Sequence, residues 1–164
     1  PTTVKRHTGR VMKRRNFLLM ALGLPFFVGA ASATFHTVVV FKSITCGCCN
    51  AWITRLEKAG FSTKGRNISQ QDLTELKQKA GINPEFAACH TAFIEHYFVE
   101  GHVPADDIKK LISTKPDALG LAVPGMPVGS PGMEIGNEKE PFDTLLVKND
   151  GSAEVFSSHR TIRI

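Results

Sequence analysis

A chain of 164 residues, 42% of them hydrophobic, can build one domain with a core and still spare a short leader. The formal charge of +5 is misleading, because Lys5, Arg6, Arg10, Lys13, Arg14 and Arg15 all lie in residues 1–33, which hold no acidic residue. The remaining 14 basic residues face 15 acidic ones, a balance that argues against a nucleic-acid surface.

The first stretch reads as a leader over residues 1–33. Lys13-Arg14-Arg15 is a basic n-region, Phe17 to Ala30 is apolar but short for a membrane span, and Ala31-Ser32-Ala33 is an A-x-A cleavage site. Arg14-Arg15-Asn16-Phe17-Leu18 resembles a twin-arginine export signal, with the general secretory route left open. Met12 is a candidate start, which makes residues 1–11 an upstream extension. The alternative reading is an uncleaved anchor. Cleavage after Ala33 predicts a mature domain over residues 34–164, without a stable membrane span, in an oxidising compartment.

Phe35 to Phe41 is β-branched and aromatic and predicts a strand. Thr45-Cys46-Gly47-Cys48-Cys49 follows. Asn50 to Ala59 then has helical spacing, with Trp52, Ile53 and Leu56 on one face and Gly60 at the stop. Three cysteines are thus expected on a strand-to-helix turn, where the helix N-terminus favours anions and hence thiolate, and Gly47 is expected to make the turn tight.

Phe61 to Ile68 predicts a second strand. Ser69, with Asp72 three residues on, caps a helix whose apolar stripe is Leu73, Leu76 and Ala80. Asn83-Pro84 turns the chain towards Cys89-His90. Thr91 to Ile94 and Tyr97 to Val103 predict a strand pair, and Pro104 opens a helix with Ile108, Leu111 and Ile112 inward. Gly120 to Gly136 is a stiff Gly/Pro loop, and long ordered loops are more often functional than not. Asn149-Asp150-Gly151, between Thr144–Lys148 and Ala153–Phe156, signals a hairpin. The order of elements is that of an α/β, thioredoxin-like domain with an extra C-terminal β-hairpin.

A dithiol redox module needs only two cysteines at C-x-x-C spacing, so a third packed among them is superfluous. Cys46, Cys48, Cys49, Cys89 and His90 read instead as a soft-metal set, suited to Cu(I) and, less well, to Zn(II). The plain alternative is a structural disulfide from Cys46 or Cys48 to Cys89. His90 stands where thioredoxin-like proteins keep a proline, which counts against a standard oxidoreductase; its plain reading is a strand-start histidine. Met126 and Met133 are read first as apolar contacts packing the loop, and second as thioether ligands. His102 is read as a surface or capping residue before a site-facing one, and His96 and His159 as surface residues. A mature start at Thr34-Phe35-His36 offers a four-nitrogen set for Cu(II) or Ni(II), against the simpler reading that His36 opens the first strand.

Four stretches carry a specific resemblance: Lys42-Ser43-Ile44-Thr45-Cys46-Gly47-Cys48-Cys49-Asn50-Ala51-Trp52, Cys89-His90-Thr91, Glu100-Gly101-His102-Val103-Pro104, and Gly120 through Glu134. In this order they resemble the CopG-type family of exported copper-resistance proteins, over about residues 35–158. Only Glu95-His96 departs, where a small turn residue such as Gly is expected. The resemblance implies a thioredoxin-like fold, a bacterial periplasmic location, and copper held through Cys46, Cys48, Cys49 and Cys89 with His90 adjacent, a multinuclear cluster being one such arrangement. The expected function is therefore Cu(I) binding in support of copper resistance, with Cu(I)/Cu(II) cycling and transfer to another exported copper-handling protein as extensions. A thiol-disulfide oxidoreductase is the alternative.

Overall fold

The computed structural model describes residues 36–160, together with Thr3. The leader, its cleavage site, Thr34 and Phe35 lie outside the described residues. β1 (Thr37–Lys42) runs into α1 (Gly47–Lys58), then β2 (Ser62–Asn67), α2 (Gln70–Lys79) and a 3-10 turn at Pro84–Phe86. β3 (His90–Ile94), β4 (Tyr97–Glu100), α3 (Ala105–Thr114), β5 (Gly120–Ala122), β6 (Phe142–Val147) and β7 (Ala153–His159) complete it. The result is a mixed α/β fold with a seven-stranded sheet in the order β2-β1-β3-β4-β5-β6-β7. β1 pairs parallel with β2 and antiparallel with β3, and β4 pairs antiparallel with β3 and parallel with β5.

Strand alternation sorts the side chains onto two faces. Val38, Val40, Ala92, Ile94, Val99 and Leu121 pack with Trp52 and Leu56 of α1 and with Ile108 and Leu111 of α3. Phe98, Ala122 and Val147 face the other way, with Ile82 and Phe86. Full burial of Leu56 or Ile108 contributes about 2 kcal/mol each, which is what holds the two helices to the sheet. Trp52 is also fully buried, and its indole N–H is satisfied by the Val103 carbonyl at 2.8 Å. That bond ties α1 to the start of α3 directly beneath the cysteines.

Ser69 caps α2 as expected, its hydroxyl accepting from the Asp72 N–H. Four details differ from the sequence reading. α1 begins at Gly47 rather than Asn50, so Cys48 and Cys49 are helical. Gly47 does not have a positive φ, so its turn needs no glycine. Gly120-Leu121-Ala122, taken as loop because Gly and Ala are weak strand formers, is β5; it splices the C-terminal hairpin β6–β7 onto the sheet edge. His159 is half-buried rather than a free surface residue: it stacks on Phe142 and bonds the buried Asp107 carboxylate at 2.9 Å. At the β3–β4 turn, Glu95 adopts φ +52, the strained conformation expected where a glycine is missing. No helix among the described residues is long and apolar enough to cross a membrane.

Candidate metal centre

Two walls of different origin meet at the carboxyl end of β1. The first is local. Cys46 is the N-cap of α1, with no side-chain cap bond, and Cys48 and Cys49 lie in its first turn. Cys46 and Cys49 form a disulfide, while Cys48 and Cys89 are free. The alternative disulfide from Cys46 or Cys48 to Cys89 is therefore corrected: the C-x-x-C pair on one helical turn closes on itself. Cys48 Sγ lies 3.5 Å from Cys46 Sγ and 3.9 Å from Cys89 Sγ, and Cys49 Sγ lies 3.5 Å from Cys89 Sγ. All four sulfurs fall within 4.8 Å of one another.

The second wall is assembled from distant segments. Cys89 precedes β3, His90 begins it, and His102 follows β4. Their donor atoms also fall within 4.8 Å of each other. Cys89 Sγ is 3.3 Å from His90 Nδ1 and 3.2 Å from His102 Nε2. Both imidazoles are fully buried, so His102 is neither a surface nor a capping residue. The geometry favours its second reading, a residue facing the site; nothing local in Gly101-His102-Val103 signals burial, and the β3–β4 pairing brings it to Cys89.

Burial sets the electrostatics here. Desolvation pushes the Cys89 thiol up to about 12, with Cys48 adding to the shift. Desolvation, aided by His102 and Lys77, holds His90 well below its ordinary value. Desolvation likewise lowers His102, opposed by Pro131 and Glu134. Both histidines are neutral at pH 7, the form that ligates metals. His102 Nδ1 donates to the Pro131 carbonyl at 2.8 Å, which leaves the Nε2 lone pair aimed at Cys89. A backbone carbonyl on the far nitrogen is the usual partner of a ligating histidine. His90 Nε2, by contrast, is buried with no hydrogen-bond partner among the described residues.

The Gly/Pro loop forms a roof. Gly132 has φ +87, and a Cβ there would lie 2.7 Å from the Trp52 amide nitrogen and 3.0 Å from the Cys48 carbonyl oxygen, so only glycine lets the loop rest on the cysteine turn. Glu134 clamps it, accepting from the Gly132 N–H at 2.9 Å and pairing with Arg55 at 3.0 Å. Met126, 51% exposed, does not pack the loop down as expected, whereas Met133 is half-buried; the close backbone approach at Gly132 holds the loop to the cysteine turn. His36 lies apart from the centre. Its Nδ1 is 3.2 Å from Glu95, and its carbonyl accepts from the Ser62 N–H.

Once the disulfide is reduced, this donor set offers four sulfurs and two neutral imidazoles with no carboxylate among them. Such soft donors fit Cu(I) best and Zn(II) acceptably.

The sequence profile of a family described as "Protein of unknown function, DUF411" matches residues 86–133, which hold Cys89, His90, His102 and the roof but not the C-x-C-C turn. Nothing matches among curated proteins. Two solved structures do, described as Form 2 and Form 1 of "Copper resistance protein copG". Form 2 is 39% identical, covers 77% of this chain and 99% of its own, and superposes with a TM-score of 0.72. Form 1 is also 39% identical, covers 76% of this chain and 98% of its own, and has the same TM-score.

Proposed function

The chain belongs to the CopG family of copper resistance proteins, and from that membership and its sulfur cluster we propose that it is an exported, periplasmic protein that binds Cu(I) in support of copper resistance. The observation that carries the reading is the convergence of four sulfurs within 4.8 Å. Cys46, Cys48, Cys49, Cys89 and His90 are the proposed ligands, and the orientation of His102 adds it to them. Four thiolates exceed what one Cu(I) needs, and thiolate sulfur bridges, so the site takes more than one Cu(I) per chain. Cycling between Cu(I) and Cu(II), or transfer to another exported copper-handling protein, would use the same site.

Residues 1–33 act in this reading as the removable leader of a domain over 34–164. The domain itself is read as thioredoxin-like: β1-α1-β2-α2-β3-β4-α3 follows that order, with the sulfur turn after the first strand and β5–β7 as an added edge.

One specific observation favours a second reading, a thiol-disulfide oxidoreductase: the disulfide between Cys46 and Cys49 has C-x-x-C spacing at a helix N-terminus. Anaerobic titration of the reduced protein with Cu(I) and with Zn(II), followed by metal analysis, separates the two. More than one tightly bound Cu(I), displacing zinc, with negligible insulin-disulfide reduction supports the copper reading. Robust insulin reduction without retained copper supports the oxidoreductase.

A further inference from the structure

Behind the second wall, on the α2 side of the sheet, lies a polar cluster that donates nothing to a metal. Glu100 of β4 and Thr91 of β3 are fully buried, and Lys77 of α2 is 8% exposed. Thr91 and Glu100 are direct partners across the strand pair. Glu100 Oε1 accepts from the Ala88 backbone N–H at 2.6 Å and from Lys77 Nζ. Its Oε2 accepts from the Thr91 hydroxyl at 2.6 Å, which itself accepts from Lys77 Nζ at 2.9 Å.

The groups gripped are informative. Ala88 is the residue before Cys89, and Thr91 is the residue after His90. One carboxylate therefore fixes both ends of the short strap that carries two of the proposed ligands. The next residue, Gly101, has φ +74, and a Cβ there would lie 2.5 Å from the Val123 carbonyl oxygen and 2.6 Å from Ala88 Cβ. That close passage delivers His102 to the front of the same strap. Glu100-Gly101-His102 thus holds Cys89 from behind and faces it from the front.

Stability alone is a weak reason for such a pair, since a buried ion pair can often be replaced by uncharged groups at little cost. Groups that orient ligands are different: their loss typically weakens metal affinity 10–100-fold. We propose that Glu100, charge-balanced by Lys77, is a positioning residue for the metal centre, holding Cys89 and His90 within reach of the α1 cysteines before metal arrives. The inference rests on the copper reading above.

The test is Cu(I) affinity of the reduced full chain, measured anaerobically by competition with a chromogenic Cu(I) chelator. Thermal unfolding is recorded for every variant. Glu100→Gln alone strands the Lys77 charge, so the variants are Lys77→Met/Glu100→Gln, which removes both charges, and Thr91→Val, which keeps the ion pair and the side-chain volume. Each is made in the natural background and in a Cys89→Ala/His90→Ala background. The expected result is affinity weakened about 10–100-fold in the natural background, and within about twofold of the parent where both strap ligands are already absent. Unchanged affinity in the folded variants would overturn the inference, and so would an equal loss in both backgrounds, which marks a general structural effect. If the double variant does not fold, Thr91→Val carries the same two outcomes. A natural chain that binds no Cu(I) overturns the copper reading and this inference together, a result distinct from either variant outcome.

Discussion

The two walls of the metal centre are built by opposite means. Cys46, Cys48 and Cys49 come from four consecutive residues at one helix start, partly open to solvent except for Cys49. Cys89, His90 and His102 come from the ends of two paired strands, with both histidines fully buried. The helix wall needs only local chain geometry. The strand wall needs the β3–β4 pairing, the Gly101 passage and the grip of Glu100. The helix wall holds the Cys46–Cys49 disulfide, while the strand wall presents a free thiol and two buried imidazoles.

Removing a donor from either wall tests whether both are required. Cys49→Ala and Cys89→Ala are each expected to weaken Cu(I) binding by more than the roughly 100-fold that bounds most outer-shell effects. Chelator competition reads this directly. If Cys89→Ala left affinity and stoichiometry unchanged, the strand wall would not be part of the site.

The roof joins the walls, so Gly132→Ala should damage both. Its positive φ and the 2.7 Å approach to backbone together predict a loss of about 3 kcal/mol in stability. Denaturant unfolding of the reduced, metal-free protein checks it. Gly47→Ala is the contrast: a Cβ there meets nothing within 4 Å and φ is not positive, so stability should shift by less than about 1 kcal/mol and copper binding should not change.

Between these in size lies the pH dependence of the strand wall. With its thiol pushed up to about 12, Cys89 is protonated at neutral pH and must lose that proton to ligate. Cu(I) affinity should therefore rise with pH, about tenfold per unit for each proton released. Competition titrations at pH 6, 7 and 8 measure the slope, and a flat profile would mean Cys89 is not a ligand. The same shift has the opposite sign for the stability of the metal-free, disulfide-bonded fold. The unfolded chain gives up this proton near the ordinary value of 9.0, so stability should fall as pH rises from there towards about 12.

Much of this difference between walls explains what was legible in the sequence. Val38 to Phe41, Trp52 and Leu56, and the Ser69 cap announce their elements through alternation, helical spacing and local hydrogen bonding. Contiguous Cys46-Gly47-Cys48-Cys49 announces a soft-metal site in the same way. Cys89-His90 joins it through residue type and element order, as a pair of soft donors at a strand start, and the family resemblance implies the same set. The burial of His102, Lys77 and Glu100 could not be read, because a charged or polar side chain carries no local sign of burial; a site-facing His102 is only the second reading. Lys77 sits between Leu76 and Gln78 on α2 and looks solvated; its partners, Thr91 and Glu100, are known only once β3 and β4 pair. β5 was hidden for a different reason, since Gly120 and Ala122 are poor strand formers held in place by β4 and β6.

The central claim, that both walls hold copper at once, is tested most directly by X-ray absorption at the copper edge on the reduced, Cu(I)-loaded protein. The account predicts a sulfur-dominated shell with an imidazole contribution and short copper–copper scattering, the imidazole part falling on His102→Ala. A shell of nitrogen and oxygen alone, or one indifferent to loss of Cys89 and His102, would contradict it.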